Sequence, residues 1–534
     1  MKITNYIIVL LLLLPFSLIS QEDKIKFDEV KVIKEFNANL ADFNKINIDP
    51  VLPVFDIKNR TYTYSVRSVP VKLNYEKPMI RPLALKPVPN PISNKYKFKI
   101  GYGAPKYLKS ELSIGYKKHN QNANLLIRHI SADNSKNLKD QKISNNLLGV
   151  SFYNRNNSND LETKLNINLA GDYYYLYATE ANKDSNAVGI NNKRRFLRGD
   201  INASFGKEEL FYNIDNKFAF NYKFLQVNTS GNIESNIVLS NSTRYNVNDN
   251  LHFELPLKGD IVLNKDLFVY SASPEFIFNS RPVNLKLRGD FALSQDSFYI
   301  FPGAELSINI FHNFFELLLS ISNDIYNNSN YSITNINPFL NIDLVKNKSS
   351  IYNNFSASMR SSMEGAKIEA SVTYQKFKNK LLFINSSIDK RTFETIYESG
   401  TNLKIDAIAT YRVLPEFEIS GTLTKNFYTM DNIDKAWFTP DFTANINSKF
   451  LLLNNKLQLN GELFFGSQSW YLGYDNKQYK LDPLFDISTE IKYRLFPHSF
   501  IFGELNNILA QKYQRWYQYP SLGLNFLTGI EISF

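Results

Sequence analysis

The chain of 534 residues has no cysteine, three tryptophans, five histidines and a single long apolar run, which lies at its N-terminus. Without cysteine there is no disulfide scaffold, thiolate zinc site, iron–sulfur cluster or thiol nucleophile. An acylated-cysteine lipoprotein anchor is excluded for the same reason. The histidines (His119, His129, His252, His312 and His498) form no i, i+2 or i, i+4 pair, so no compact metal site is apparent. His119 and His312 fall at predicted turns, where a solvated histidine is the simpler account. There is no Gly-x-Ser-x-Gly elbow, and no enzyme is expected. No cofactor is expected either, because Gly101-Tyr102-Gly103 leads into Ala104-Pro105 rather than a phosphate-binding loop.

What is present is aromatic and basic. There are 41 Phe and 32 Tyr, and Lys plus Arg exceed Asp plus Glu by 61 to 51. No five basic residues run together, and the densest cluster is Lys193-Arg194-Arg195 with Arg198. A nucleic-acid partner is therefore not expected.

Met1-Lys2, the apolar stretch from Tyr6 to Leu18 and the polar turn at Ser20-Gln21-Glu22-Asp23 have the layout of a signal peptide over 1–20. The run is shorter than the ~18 residues a spanning helix needs. The expected source is a Gram-negative cell. Residues 21–95 form a second region: eight of the 20 prolines fall between Pro50 and Pro91, with 13 Lys or Arg against nine Asp or Glu. Proline gives no N–H to a ladder, so extended, irregular backbone is expected there.

From about residue 96 the pattern has period two. In 485–495, Phe485, Ile487, Ile491, Tyr493 and Leu495 share one face, opposite Asp486, Ser488, Glu490, Lys492 and Arg494. Residues 304–310 and 402–413 alternate in the same way, with Ile408 the exception. Short turns are read at Lys378-Asn379-Lys380, Asn454-Asn455-Lys456 and Phe496-Pro497-His498, and longer loops at 467–483 and 508–520. Short turns on one side and long loops on the other predict an all-β fold, a large antiparallel transmembrane β-barrel of about 22 strands over 96–534. A soluble sandwich or propeller is the competing fold. Aromatic clusters at strand ends favour the barrel: Tyr173, Tyr174, Trp470, Tyr471, Tyr513 and Trp516 are candidates for an interfacial girdle or for loop contacts to a ligand. The last strand alternates Leu524, Phe526, Ile530, Ile532 and Phe534 against Asn525, Gly529, Glu531 and Ser533, with Leu527 the exception. Its terminal Phe534 is the expected insertion signal of an outer-membrane barrel.

Gly503-Glu504-Leu505-Asn506-Asn507-Ile508-Leu509, Lys512-Tyr513, Tyr519-Pro520 and the run Gly523 to Phe534 resemble the last two strands of TonB-dependent receptors. The resemblance implies a 22-stranded barrel that encloses a folded plug and imports siderophores, cobalamin or glycans with energy from TonB. The chain departs from that pattern at its N-terminus. Only about 75 proline-interrupted residues stand where the plug would be, so it looks like a receptor-type barrel lacking a conventional plug, as in Bacteroidota. The stretch Phe27 to Ile33 faintly resembles a TonB box, which makes Asp28, Glu29, Val30 and Val32 candidate contacts for TonB or a partner. A short β segment at a chain terminus is the plainer account.

A lumen this wide needs filling. Residues 21–95, the long loops or a separate protein could occlude it. Basic residues of 21–95 could pair with lumen-facing Asp486, Glu490 and Glu531, or the segment could tether a partner in the periplasm. The expected function is transport across the outer membrane, gated by the tail or by a partner. A complete TonB-dependent importer with a reduced plug is a variant of it. The alternative is a non-transporting scaffold that docks a periplasmic partner through 21–95. The expected partners are outer-membrane lipid and TonB or another periplasmic protein.

Overall fold

The computed structural model describes residues 95–156, 160–179, 192–227, 233–295, 297–311 and 314–534. Every described residue lies in the unit Leu85–Phe534. The predicted signal peptide, nearly all of the Pro-rich segment, Asp28, Glu29, Val30, Val32 and His312 fall outside the described residues.

The first strands are β1 (Tyr96–Ala104), β2 (Tyr107–Lys118), β3 (Gln121–Asp133), β4 (Lys142–Asn156), β5 (Leu161–Tyr175), β6 (Lys193–Phe211) and β7 (Ile214–Val227). Next come β8 (Ile233–Asn248), β9 (Leu251–Leu263), β10 in two pieces (Leu267–Ala272 and Glu275–Ser280), β11 (Val283–Ser294), β12 (Ser297–Ile310) and β13 (Phe315–Asn327). A short helix, α1 (Asn330–Ile336), precedes β14 (Ser349–Met363), β15 (Ala366–Asn385), β16 (Phe393–Leu414) and β17 (Phe417–Met430). The wall ends with β18 (Phe442–Leu452), β19 (Leu457–Gly466), β20 (Leu484–Phe496), β21 (Ser499–Asn506) and β22 (Asn525–Ser533).

Each strand pairs antiparallel with the next, and β22 pairs with β1 from Lys97↔Ser533 to Ala104↔Phe526. The result is a closed barrel of 22 strands. The two pieces of β10 share the same neighbours, β9 and β11, and are separated at Ser273-Pro274, where proline cannot donate to the ladder. Closure leaves the barrel wall without a free edge, which a barrel in lipid requires.

Residue order decides which face meets what. On β1, Phe98, Ile100 and Tyr102 are exposed on the outside, whereas Lys99 is 7% exposed and turned into the lumen. On β22, Phe526 and Ile530 point out and Glu531 points in. Leu527, the exception to the alternation, is buried on the inner side against Gly101. The seam is tight: a Cβ on Gly103 would lie 1.8 Å from the Phe526 carbonyl oxygen, and one on Gly529 2.0 Å from that of Ile100. Both positions therefore need glycine.

The two rims differ. One carries short turns such as 119–120, 249–250, 364–365, 415–416 and 497–498. The other carries the long connections 176–192, 328–348, 431–441, 467–483 and 507–524. In outer-membrane barrels the long loops face outward. One expected turn is not a turn. Lys378-Asn379-Lys380 lies within β15, where the register to β16 shifts between Phe377 and Lys380. Asn379 takes the left-handed conformation (φ 56°), so an asparagine read as a turn marks a bulge instead.

Candidate functional site: the capped mouth and the charged inner wall

The long loops fold into an aromatic core across the mouth they surround. Loops 176–192, 328–348 and 507–524 leave the wall after β5, β13 and β21, which stand eight, eight and six strands apart around the closed ring. At ~4.8 Å between strands and a tilt near 40°, strands that far apart are separated by roughly 33–40 Å across the barrel. Yet Phe339 stacks on Tyr519 with ring centroids 3.7 Å apart, and Tyr177 meets both rings edge-on at 5.9 and 4.9 Å. Such contacts form only if the three loops reach inward and meet over the lumen.

The remaining long loops extend this core. Trp516 packs against Phe383, Phe393 and Phe438 at 5.1, 5.5 and 5.3 Å. Tyr471 stacks on Tyr517 at 4.4 Å, and Trp437 is buried in the same cluster. Backbone and side-chain hydrogen bonds fix the arrangement. Thr179 N donates to Gln518 O at 3.2 Å. Gln141 Nε2 and the Tyr177 hydroxyl donate to Pro520 O at 2.9 and 3.3 Å. The Tyr519 hydroxyl donates to Arg391 O.

One cation lies inside this apolar core. Arg391 is 2% exposed, and its Nε and Nη2 each reach an Asp389 carboxylate oxygen at 2.9 Å while Nη1 donates to Asn192 Oδ1 at 2.6 Å. Burial alone would raise the Asp389 carboxyl, but the hydrogen bonds from Arg391 outweigh it and hold the group below its ordinary range. Burial pushes the Tyr177 phenol up to about 12 and that of Tyr519 well above its ordinary value. Within the cap, α1 contributes Ile333 to the core and is tied to the wall. Glu234 accepts from the Asn330 and Tyr331 N–H groups at 2.9 and 2.8 Å, and Arg198, paired with Asp172, donates to Thr334 Oγ1 at 3.2 Å.

The inner wall is polar and charged. Near the seam, Lys99 Nζ lies 2.8 Å from both Glu490 and Glu504, and Lys109 Nζ lies 2.9 Å from Glu504. These groups line a recess of about 500 Å³ that also includes Lys449 and Glu462. The acids proposed to meet residues 21–95 already have partners on the barrel. Glu490 is held by Lys99, Glu531 by Lys492, and Asp486 by the Tyr513 hydroxyl at 2.9 Å. Hydrogen-bonding neighbours occupy His129, His252 and His498. Among the described residues no three His, Asp or Glu side chains group as metal ligands.

The aromatic candidates separate into different settings. Tyr471 and Trp516 are buried in the cap, and Tyr174 and Trp470 pack at its margin. Tyr513 is tied to Asp486, whereas Tyr173 lies beside Lys193 and Arg195 on the outer face of the wall. Phe534 is exposed, with its backbone N–H and C=O paired to Tyr96. Sequence reasoning missed Phe339, Arg391, Trp437 and Phe438. The available signal was aromatic residues beside proline in otherwise polar loops, as in Asn337-Pro338-Phe339 and Trp437-Phe438-Thr439-Pro440.

No protein-family model matches this sequence, and no curated protein does. Solved structures do share its fold. The pyoverdine outer-membrane receptor FpvA of Pseudomonas aeruginosa superposes with a TM-score of 0.60 at 10% identity, over 83% of this chain and 78% of its own. The FrpB iron transporter of Neisseria meningitidis gives 0.62 at 9% identity, over 82% and 81%. The siderophore receptor PirA of Acinetobacter baumannii gives 0.60 at 9% identity, over 82% and 80%. The chain therefore has the barrel fold of outer-membrane TonB-dependent receptors.

Proposed function

We propose that this protein is an outer-membrane transport barrel whose outer mouth is closed by its own loops, with residues 21–95 or a periplasmic partner acting at the other end. The contact of Tyr177, Phe339 and Tyr519 across a mouth that their parent strands hold wide apart carries this reading. A polar, charged lumen suits the passage of a hydrophilic solute, and a cap of interlocked rings is a barrier that a ligand or partner would have to rearrange. The fold shared with receptors for pyoverdine and other siderophores supports a receptor-type transporter. Asp28, Glu29, Val30 and Val32 are the segment proposed to meet TonB or another periplasmic protein.

Planar-bilayer conductance tests this with four proteins: residues 21–534 and 96–534, each with and without Phe339→Ala plus Tyr519→Ala. The expected result is conductance only where the cap is weakened, larger when residues 21–95 are also absent. Conductance of 96–534 with an intact cap would assign occlusion to the N-terminal segment instead. Silence from all four would favour the scaffold reading, which the self-paired charges of the inner wall also suit.

A further inference from the structure

We propose that the upper part of the β11–β12 hairpin takes up an extended, acidic strand of another protein at the cell surface, by pairing along the open edge of β12. The inference rests on reading the chain as an outer-membrane barrel and concerns its outer rim rather than its lumen. β12 pairs with β11 from Ser297↔Ser294 to Ile308↔Val283, but with β13 only from Ala304↔Ile321 to Ile310↔Phe315. The break falls at Phe301-Pro302-Gly303. Asn309 N donates to Pro282 O, so odd-numbered residues of β12 face β11 and even-numbered ones face β13. Pro302 therefore stands where a donor to β13 is needed and has none. Beyond it, the N–H and C=O groups of Phe298 and Ile300 point away from β11 and meet no partner among the described residues.

Height explains how an outer-membrane barrel tolerates such an edge. Counted from Ile310 at the short-turn rim, ~3.4 Å per residue and a tilt near 40° put Pro302, Ile300 and Phe298 roughly 21, 26 and 31 Å up the membrane normal. The apolar band of such barrels is about 25 Å tall. Within it, Pro302 brings no N–H and its carbonyl accepts from Asn323 Nδ2 at 2.8 Å. The open groups of Ile300 and Phe298 lie at or above its upper limit, on an extension that rises over the closed wall. Their side chains are 63% and 62% exposed. The extension leans over the outside of β14 and β15. Lys378 Nζ lies 5.8 Å from the Tyr299 ring centre, and Ile351, on the outward side of β14 with the exposed Phe355, is buried.

The geometry selects the occupant. A row of backbone donors and acceptors beside outward apolar side chains is matched by a β-strand and not by a lipid headgroup. A second copy of this chain does not fit. Copies in one membrane are related by rotation about its normal, which leaves both β12 strands running from the loop rim to the short-turn rim, so their edges cannot pair antiparallel. Lys376 and Lys378 are exposed on the outward face of β15 and have no acidic partner among the described residues. The extension itself, 291–303, carries one acid, Asp296. Two cations against one carboxylate favour acidic side chains on the incoming strand.

Fluorescence anisotropy with the detergent-purified full chain tests the proposal, using a labelled synthetic peptide of alternating valine and glutamate. An alternating valine–lysine peptide and a backbone N-methylated valine–glutamate peptide serve as controls. Binding of the unmethylated acidic peptide alone is expected. Ile300→Pro removes an edge donor but none of the bonds to β11, and should weaken binding about tenfold. Phe298→Pro with Ile300→Pro should weaken it on the order of 100-fold. Ile300→Thr keeps the N–H and should bind within about threefold of the parent. Lys376→Gln with Lys378→Gln should cost about fivefold. No binding of the acidic peptide, equal binding of either control peptide, an unaffected double proline variant, or a loss in Ile300→Thr as large as that in Ile300→Pro would each overturn the proposal. Heat-modifiable gel migration of the parent and each variant, which involves no peptide, separately tests the barrel reading.

Discussion

The two rims use the same kinds of residue in opposite environments. At the short-turn rim, Tyr212, Phe311 and Phe496 are 95%, 75% and 68% exposed, because a turn of a few residues cannot fold back over the lumen. At the loop rim, Trp516 is 6% exposed and Tyr519 is also buried, since loops of 17 to 21 residues can cross the mouth and pack on one another. An aromatic residue at the end of a barrel strand is thus an interfacial anchor or a piece of core depending on the length of chain that carries it. The wall between is specified by neighbouring strands, the cap by residues brought together from distant ones.

That difference can be broken by substitution. Phe339→Ala together with Tyr519→Ala should have the largest effect, at about 3–5 kcal/mol for each buried ring. Protease added outside intact cells should then cut the loops, while heat-modifiable migration of the barrel stays unchanged. In the wall, Lys99→Met should cost about 3 kcal/mol in urea unfolding, because it leaves Glu490 without its lysine and weakens the hold on Glu504. The cap should also loosen in alkali. Burial raises the Tyr177 phenol to about 12, so the folded state keeps a proton that the unfolded chain releases near pH 10. That stability is fully present below pH 10 and is lost as pH rises towards 12, which tyrosinate absorbance and loop proteolysis will follow together. Tyr212→Ala with Phe496→Ala should be the mildest change, within about 0.5 kcal/mol of the parent in urea.

The wall was legible in the sequence because its code is local. Alternation in 402–413 and 485–495 places those segments in β16 and β20, and the final alternating run in β22. Even the exceptions have a cause: Leu527 turns inward to fill space beside Gly101. Lys378-Asn379-Lys380 misled, since polar residues and a left-handed asparagine serve a bulge as well as a turn. The cap was less legible. Tyr471, Trp516 and Tyr519 stood out by composition, but nothing in the linear order says that Tyr519 meets Phe339, 180 residues away, or that Arg391 is enclosed with Asp389 and Asn192. Which faces of the loops become core is decided by closure of the barrel, which sets how far apart they start.

A cysteine-free chain allows the convergence of the loops to be measured directly. The Thr179 N–H to Gln518 O bond of 3.2 Å joins loops rooted at β5 and β21, and residues bonded in this way lie within disulfide reach, about 4.4–6.8 Å between Cα atoms. Thr179→Cys with Gln518→Cys, expressed in native outer membranes and mildly oxidised, should give a cross-linked band that disappears on reduction. If both thiols accept a soluble maleimide but no oxidant joins them, the loops do not meet over the mouth, and the capped-barrel account is wrong.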